Sequence, residues 1–133
     1  MDSSFSDITA LLARYYDGLF HCDIAKLKTV FHPEAHYYTA SFGGLTHYNM
    51  TDYMKVIEER TSPSDLGEDH AFAIDAVTFA GPDTALAQLR CSMLGKSYVD
   101  FLSLIFIGGE WRIIAKVFHA EPLLISTPAN GDE

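Results

Sequence analysis

The side chains of this sequence that could move protons near neutral pH are its six histidines. They are His21, His32, His36, His47, His70 and His119. No two of them lie one turn apart on a predicted helix or in the short-loop spacing of a zinc or facial-triad site. We therefore expect no metal site, and nothing in the sequence implies a cofactor.

Two adjacent tyrosine pairs could offer hydroxyl groups to a ligand. Tyr15 and Tyr16 cannot share one helix face, and Tyr15 is the member that lies on the apolar stripe of its helix. A core tyrosine with a satisfied hydroxyl explains that position equally well. Tyr37 and Tyr38 point to opposite faces of a strand, and Tyr38 is the one we expect at the ligand.

Strand alternation gives the sharpest expectation about charge. One face of the strand predicted over 84–94 carries Leu86, Gln88, Arg90 and Ser92, and one face of the last strand carries Arg112, Ile114, Lys116 and Phe118. If both faces line a cavity, Arg90 and Lys116 bring two cations into it and favour an anionic ligand. If a bulge inverts the alternation, both cations lie outside near Asp100, and the cavity is lined by Leu89, Cys91, Met93 and Trp111. Both arrangements remain open.

Composition limits the class of protein that can carry these groups. A chain of 133 residues fits one domain, which we place at residues 1–125, with a frayed tail at 126–133. The net charge of −9 argues against nucleic acid and against anionic membrane surfaces. Cys22 and Cys91 have no metal-like spacing and are interpreted as free thiols. An acidic N-terminus and the lack of a long apolar run favour a cytoplasmic protein.

Helices are predicted first along the chain. Apolar residues at steps of three and four predict a helix that ends near His21. Asp23 is expected to cap a second helix, which runs to Phe31 and is stopped by Pro33. Thr51 is expected to cap a third helix, through about residue 60.

Strands follow in the second half. A short strand is predicted over 36–41, residues 45–50 are ambiguous, and residues 61–69 form a loop. Long strands over 71–79, 84–94, 97–107 and 111–119 are separated by glycine-containing turns. Helices followed by an antiparallel meander predict an α+β fold, with the helices on one face of the sheet and the last strand central or near-central.

Two segments resemble the nuclear transport factor 2-like superfamily. The opening segment is ARYYDGLFHCDIAKLKTVFHPEAHYY, and the closing hairpin is DFLSLIFIGGEWRIIAKVFH. The subfamily named putative lumazine-binding, a SnoaL-like family, is similar in its Asp-Tyr/Phe-Leu-Ser-Leu strand and its Trp-Lys-Ile-Ile-Asn-Lys-Val-Phe strand. This chain departs from the second pattern at Ala115, where Asn is usual. The resemblance implies a cone-shaped curved sheet wrapped around the first helix, a pocket at the open end and a homodimer through the outer face.

Two kinds of enzyme with this fold can be compared residue by residue. Ketosteroid isomerase needs a tyrosine, a protonated carboxylic acid and a proton-moving Asp. Alignment puts these on Tyr15, Ser103 and Thr39, so two of the three roles are lost, although a one-residue slip could shift the Ser103 position. Dehydratase-like and cyclase-like relatives use a histidine just before the first long strand, where His70 lies. A histidine that merely caps the strand or faces solvent is the simpler interpretation.

Three functional hypotheses follow. The first is a small-molecule-binding protein with a pocket between helix one and the concave sheet face, for an anionic or aromatic ligand. The second is a lyase or isomerase that uses His70 and Tyr15, and the third is a structural dimer with no ligand. The expected site residues are Tyr15, Tyr38, His70, Arg90, Asp100 and Lys116.

Overall fold

Three helices and six strands make up residues 2–123, the part of the chain that the computed structural model describes. The helices are α1 (Ser4–His21), α2 (Ile24–Lys28) and α3 (Met50–Glu59). The strands are β1 (Phe31–Thr39), β2 (Thr46–Asn49), β3 (Phe72–Phe79), β4 (Thr84–Met93), β5 (Lys96–Ile107) and β6 (Glu110–Pro122). The predicted α+β fold is confirmed. The predicted tail, residues 126–133, lies outside the described part.

Helix α1 follows the predicted stripe and forms the axis of the core. The residues of that stripe are buried: Ile8, Leu11, Leu12, Tyr15 and Leu19. The helix ends at Cys22, whose left-handed φ of 52° directs the chain back toward α2. Gly18 allows α2 to pack closely, because a Cβ there would lie 2.7 Å from Leu27 Cδ2. Cys22 and Cys91 are both free thiols.

The boundary between α2 and β1 differs from the prediction. The helix ends at Lys28 rather than at Phe31, and Phe31 already belongs to β1. The Val30 carbonyl accepts a hydrogen bond of 2.9 Å from the Ile113 amide. Sheet pairing with β6 therefore overrides the helical pattern. Pro33 is tolerated because it lies in a register shift of the ladder, between Phe31 and His36.

Helix α3 begins differently from the prediction as well. Its N-cap is Asn49, whose side-chain oxygen accepts from the Asp52 amide at 2.8 Å, and Thr51 is inside the helix. The ambiguous segment before it forms β2, which pairs with β1 in antiparallel orientation.

The six strands form one curved sheet in the order β2-β1-β6-β5-β4-β3. Strand β6 is central, as predicted, and the β3–β4–β5–β6 meander is antiparallel. The pair β1–β6 is parallel, so the sheet is mixed rather than wholly antiparallel. Strand β1 precedes the meander in the chain and pairs with the edge of β6 that β5 leaves free. Within residues 2–123 no helix is long and apolar enough to cross a membrane.

Candidate functional site

Lys116 on β6 is a cation buried on the helix-covered face of the curved sheet. It is 5% exposed, although simple alternation would put it opposite the buried Ile113. A bulge resolves this conflict: Ser103 of β5 faces Ala115, while Leu104 faces Ile113. Ile114 is therefore the extra residue, and Ile113 and Lys116 both point to the concave face. The face of Lys116 was left open by the sequence, and the bulge at Ile114 is what directs it to the concave face.

Aromatic rings surround the Lys116 ammonium. Its Nζ lies 5.1–5.7 Å from the centroids of four rings, close enough for cation–π attraction. The rings belong to Tyr15, Tyr37, Tyr53 and Phe118. Nζ also donates to the Tyr53 hydroxyl at 3.1 Å. Burial by itself disfavours the ammonium, but interactions with Tyr53 and Asp100 outweigh it and raise the pKa of Lys116 above its ordinary value. Lys116 is therefore a charged donor at neutral pH.

Asp100 on β5 is the buried anion of the same region. It is 2% exposed, and its Oδ2 accepts a hydrogen bond of 2.6 Å from the Tyr15 hydroxyl. Burial and the neighbouring carboxylate raise the pKa of Tyr15 well above its usual range, so Tyr15 keeps its proton. The other carboxylate oxygen, Oδ1, is buried and has no hydrogen-bond partner among the described residues. A buried carboxylate oxygen left unpaired costs folding free energy, so Oδ1 requires a donor from water or a ligand.

A small cavity of about 40 Å³ joins these groups. Its polar lining includes Tyr37, Tyr53, Tyr98, Asp100 and Lys116, and its apolar lining includes Leu19, Met93 and Phe118. Burial raises the pKa values of Tyr37 and Cys91, both lining residues, to about 12. Both are therefore neutral at pH 7. The arrangement can hold a polar group of a ligand between a fixed cation and a free carboxylate oxygen.

Arg60 is a lining residue that the sequence analysis did not single out. It follows the last residue of α3, and its Nε atom is buried without a partner among the described residues. No sequence pattern marked it, because it stands at the start of a loop. Tyr53 of α3, which accepts from Lys116 Nζ, was not singled out either.

The prediction that Arg90 lines the same cavity as Lys116 is wrong. Its side chain is 61% exposed on the opposite face of the sheet and pairs with Asp75 at 2.7 Å. The buried members of β4 are Ala85, Ala87, Leu89 and Met93, so the inverted alternation holds for this strand.

His70 and Tyr38 do not line the cavity either. His70 lies in the loop before β3 and packs against α1, where its ring contacts Tyr16 and Phe20 and its Nε2 is 3.5 Å from Asp17 Oδ1. Tyr38 stacks on His47 at 4.7 Å on the outer side of β1. The predicted convergence of His70 with Tyr15 is thus not observed. Within residues 2–123 there is no group of His, Cys, Asp or Glu side chains arranged to hold a metal ion.

The structure changes one position of the alignment with ketosteroid isomerase, namely the carboxyl group expected beside Tyr15. The carboxyl group beside Tyr15 belongs to Asp100, three residues before the aligned Ser103. Thr39 remains unable to act as the proton-moving base, and its hydroxyl donates to the Phe118 carbonyl at 2.7 Å. A tyrosine and a carboxyl group are therefore present side by side, but Asp100 accepts from Tyr15 rather than donating as a protonated acid, and Thr39 cannot serve as the base.

A family model described as "Putative lumazine-binding" matches residues 3–119. The chain belongs to this family. Solved structures of similar fold include an NTF2-like protein of unknown function from Silicibacter pomeroyi. That match has a TM-score of 0.77 and 24% identity, and covers 91% of this chain and 100% of the other. A second NTF2-like protein of unknown function, from Shewanella baltica, has a TM-score of 0.80 and 21% identity, covering 91% and 96%.

One curated relative is named for an enzymatic activity. It is Aldolase FrzH of Cladobotryum sp., 25% identical over 125 residues, which covers 90% of this chain and 94% of the relative.

Proposed function

We propose that the protein binds a small carbonyl-containing molecule on the helix-covered face of the curved sheet, between Asp100 and Lys116. The observation that carries this proposal is the buried, unpartnered Oδ1 of Asp100, a residue that lines the cavity together with Lys116. A structural dimer with a self-filled pocket would gain nothing from an orphaned carboxylate oxygen. Family membership is consistent with ligand binding.

A lyase activity is the second candidate, and the same pair of groups favours it. Asp100 Oδ1 can accept a proton from the carbon next to a ligand carbonyl, and the C–H electron pair then moves onto the carbonyl oxygen. The Lys116 ammonium stabilises the enolate oxygen that forms. Attack of the enolate carbon on an aldehyde makes a new C–C bond, and the resulting alkoxide takes back the proton from Asp100. Each step is reversible, so the site can also cleave such a bond.

Tyr15 has a positioning role in this proposal. Its hydroxyl donates to Asp100 Oδ2 at 2.6 Å, which leaves Oδ1 as the free acceptor. The named activity of the aldolase relative supports carbon–carbon chemistry as the class to test. The proposal replaces His70 with Asp100 as the base, because His70 lies outside the cavity lining.

Proton exchange tests the proposal without knowledge of the natural substrate. The protein is incubated in heavy water with acetone or pyruvate, and NMR measures loss of the protons next to the carbonyl. We expect the wild type to accelerate exchange and Asp100→Asn to lose about 100-fold or more of that acceleration. Asp75→Asn is the matched control, because Asp75 pairs with Arg90 on the outer face and should leave exchange unchanged. Equal exchange rates in the wild type and Asp100→Asn would contradict the role of Asp100.

We also propose that the chain forms a homodimer through the outer sheet face. Large apolar side chains stand exposed there, including Leu86 at 43%, Phe101 at 47% and Val117 at 49%. Phe101 and Val117 are direct cross-strand neighbours, which makes the apolar surface continuous. A twofold dimer is the commonest way to cover such a face.

A further inference from the structure

Arg60 supplies a second positive charge to the cavity. The residue caps the C-terminus of α3 in an extended conformation, with φ −97° and ψ 156°, and its side chain lines the cavity beside Val56, Tyr98 and Phe118. Its Nε atom is buried and has no partner among the described residues. Among the described residues no carboxylate bonds this nitrogen, in contrast to Arg90 Nε, which donates to Asp75.

The charges around the cavity do not balance. The lining contributes the cations Arg60 and Lys116 but one carboxylate, Asp100. Asp100 is the carboxylate of this lining, but its Oδ2 accepts from Tyr15 and its Oδ1 has no partner among the described residues, so it does not bond the guanidinium. One uncompensated positive charge thus remains at the cavity, in a chain whose net charge is −9. A buried or half-buried cation without a counter-ion is stabilised most by a bound anion.

We infer that the ligand is a small oxo acid whose carboxylate binds Arg60 while its carbonyl group lies between Asp100 and Lys116. This inference rests on the proposed function of the cavity and specifies its substrate class. A guanidinium offers parallel N–H donors that match a carboxylate, which a neutral ketone cannot use. The cavity volume of about 40 Å³ admits few heavy atoms beyond the carbonyl and its neighbouring carbons. Arg60 is then a specificity-determining residue.

Paired probes that differ only in charge test the inference. Pyruvate, 2-oxobutyrate and levulinate are each compared with the corresponding neutral amide, and binding is followed through the backbone amide NMR signals of Asp100 and Lys116. We expect the acids to bind the wild type about tenfold or more tightly than the amides. In Arg60→Gln this preference should disappear, and in Arg60→Lys part of it should remain. Arg90→Gln is the matched control and should keep the full preference, because Arg90 lies on the outer face.

Two results would overturn the inference, and they can be told apart. If the acids and amides perturb both signals but Arg60→Gln retains the preference for acids, the cavity binds ligands and Arg60 does not select them. If no acid or amide perturbs either signal in the wild type, the ligand site itself is in the wrong place and the inference falls with the proposed function. A circular dichroism spectrum of Arg60→Gln checks that loss of preference is not loss of the fold.

Discussion

Removing the buried cation should destabilise the protein far more than removing an exposed one. Lys116 is 5% exposed and Asp100 is 2% exposed, so Lys116→Met leaves the carboxylate of Asp100 buried without its counter-charge. Removing one of two buried opposite charges costs about 3–5 kcal/mol when the two are directly paired, and the lower end applies here because Lys116 bonds Tyr53 and Asp100 bonds Tyr15 rather than each other. We expect Lys116→Met and Asp100→Asn each to lower the free energy of unfolding by roughly 3 kcal/mol.

The double variant, which combines Lys116→Met with Asp100→Asn, separates the electrostatic coupling between the two charges from the packing that each substitution loses. With both charges gone, no uncompensated charge is buried, so the cost should fall below the sum of the single costs by about 2 kcal/mol or more. The pair Arg90–Asp75 is an internal control. Since the Arg90 side chain is 61% exposed, the cycle built on Arg90→Met and Asp75→Asn should give a much smaller coupling than that between Lys116 and Asp100.

Urea unfolding monitored by circular dichroism measures all of these variants, provided that each unfolds in a single transition with an unchanged slope. A coupling between Lys116 and Asp100 no larger than that of the surface pair would refute the reasoning. It would mean that the two groups do not stabilise each other across the cavity, and that the ammonium is held by Tyr53 and the rings alone.

Four further outcomes are expected. Gly18→Ala should destabilise the protein by roughly 1–3 kcal/mol in urea unfolding, because the new Cβ would meet Leu27 Cδ2 at 2.7 Å; an unchanged midpoint would contradict the packing. Cys91 should react very slowly with iodoacetamide at pH 8, because a pKa of about 12 leaves only about one thiol in ten thousand ionised, and rapid labelling by mass spectrometry would argue against this. Sedimentation should show a dimer at micromolar concentration that Phe101→Lys converts to monomer, and a monomeric wild type would refute the outer-face assembly. His70→Gln should leave ligand affinity and proton exchange unchanged; loss of either would return His70 to the site.

Local sequence patterns predicted the helices and strands well where a single local signal, such as apolar spacing or a glycine turn, determined the structure. The apolar stripe of α1 identified the buried face of the helix, and the glycine turns identified the β4–β5–β6 hairpins. The end of α2 was missed because pairing of Phe31 with β6 depends on a strand more than 80 residues away, as the bond between Ile113 and Val30 illustrates. Helical spacing carries no information about such a partner.

The site was predicted less completely for equally physical reasons. Tyr15, Asp100 and Lys116 were all named, but Lys116 reaches the cavity only because Ile114 is bulged, and alternation cannot locate a bulge. Arg90 was misplaced because β4 keeps a regular alternation with its small and apolar residues inward. Arg60 escaped notice because the extended backbone after α3, rather than any motif, directs it to the cavity.

The most direct test of the ligand site is a crystal structure of the protein soaked with 2-oxobutyrate. We expect electron density for the ligand in the cavity. One ligand oxygen should lie within hydrogen-bond distance of Lys116 Nζ, and the adjacent carbon should face Asp100 Oδ1. A ligand ordered instead in the groove of about 420 Å³ between α2, α3 and the start of β1, with the cavity unchanged, would contradict it.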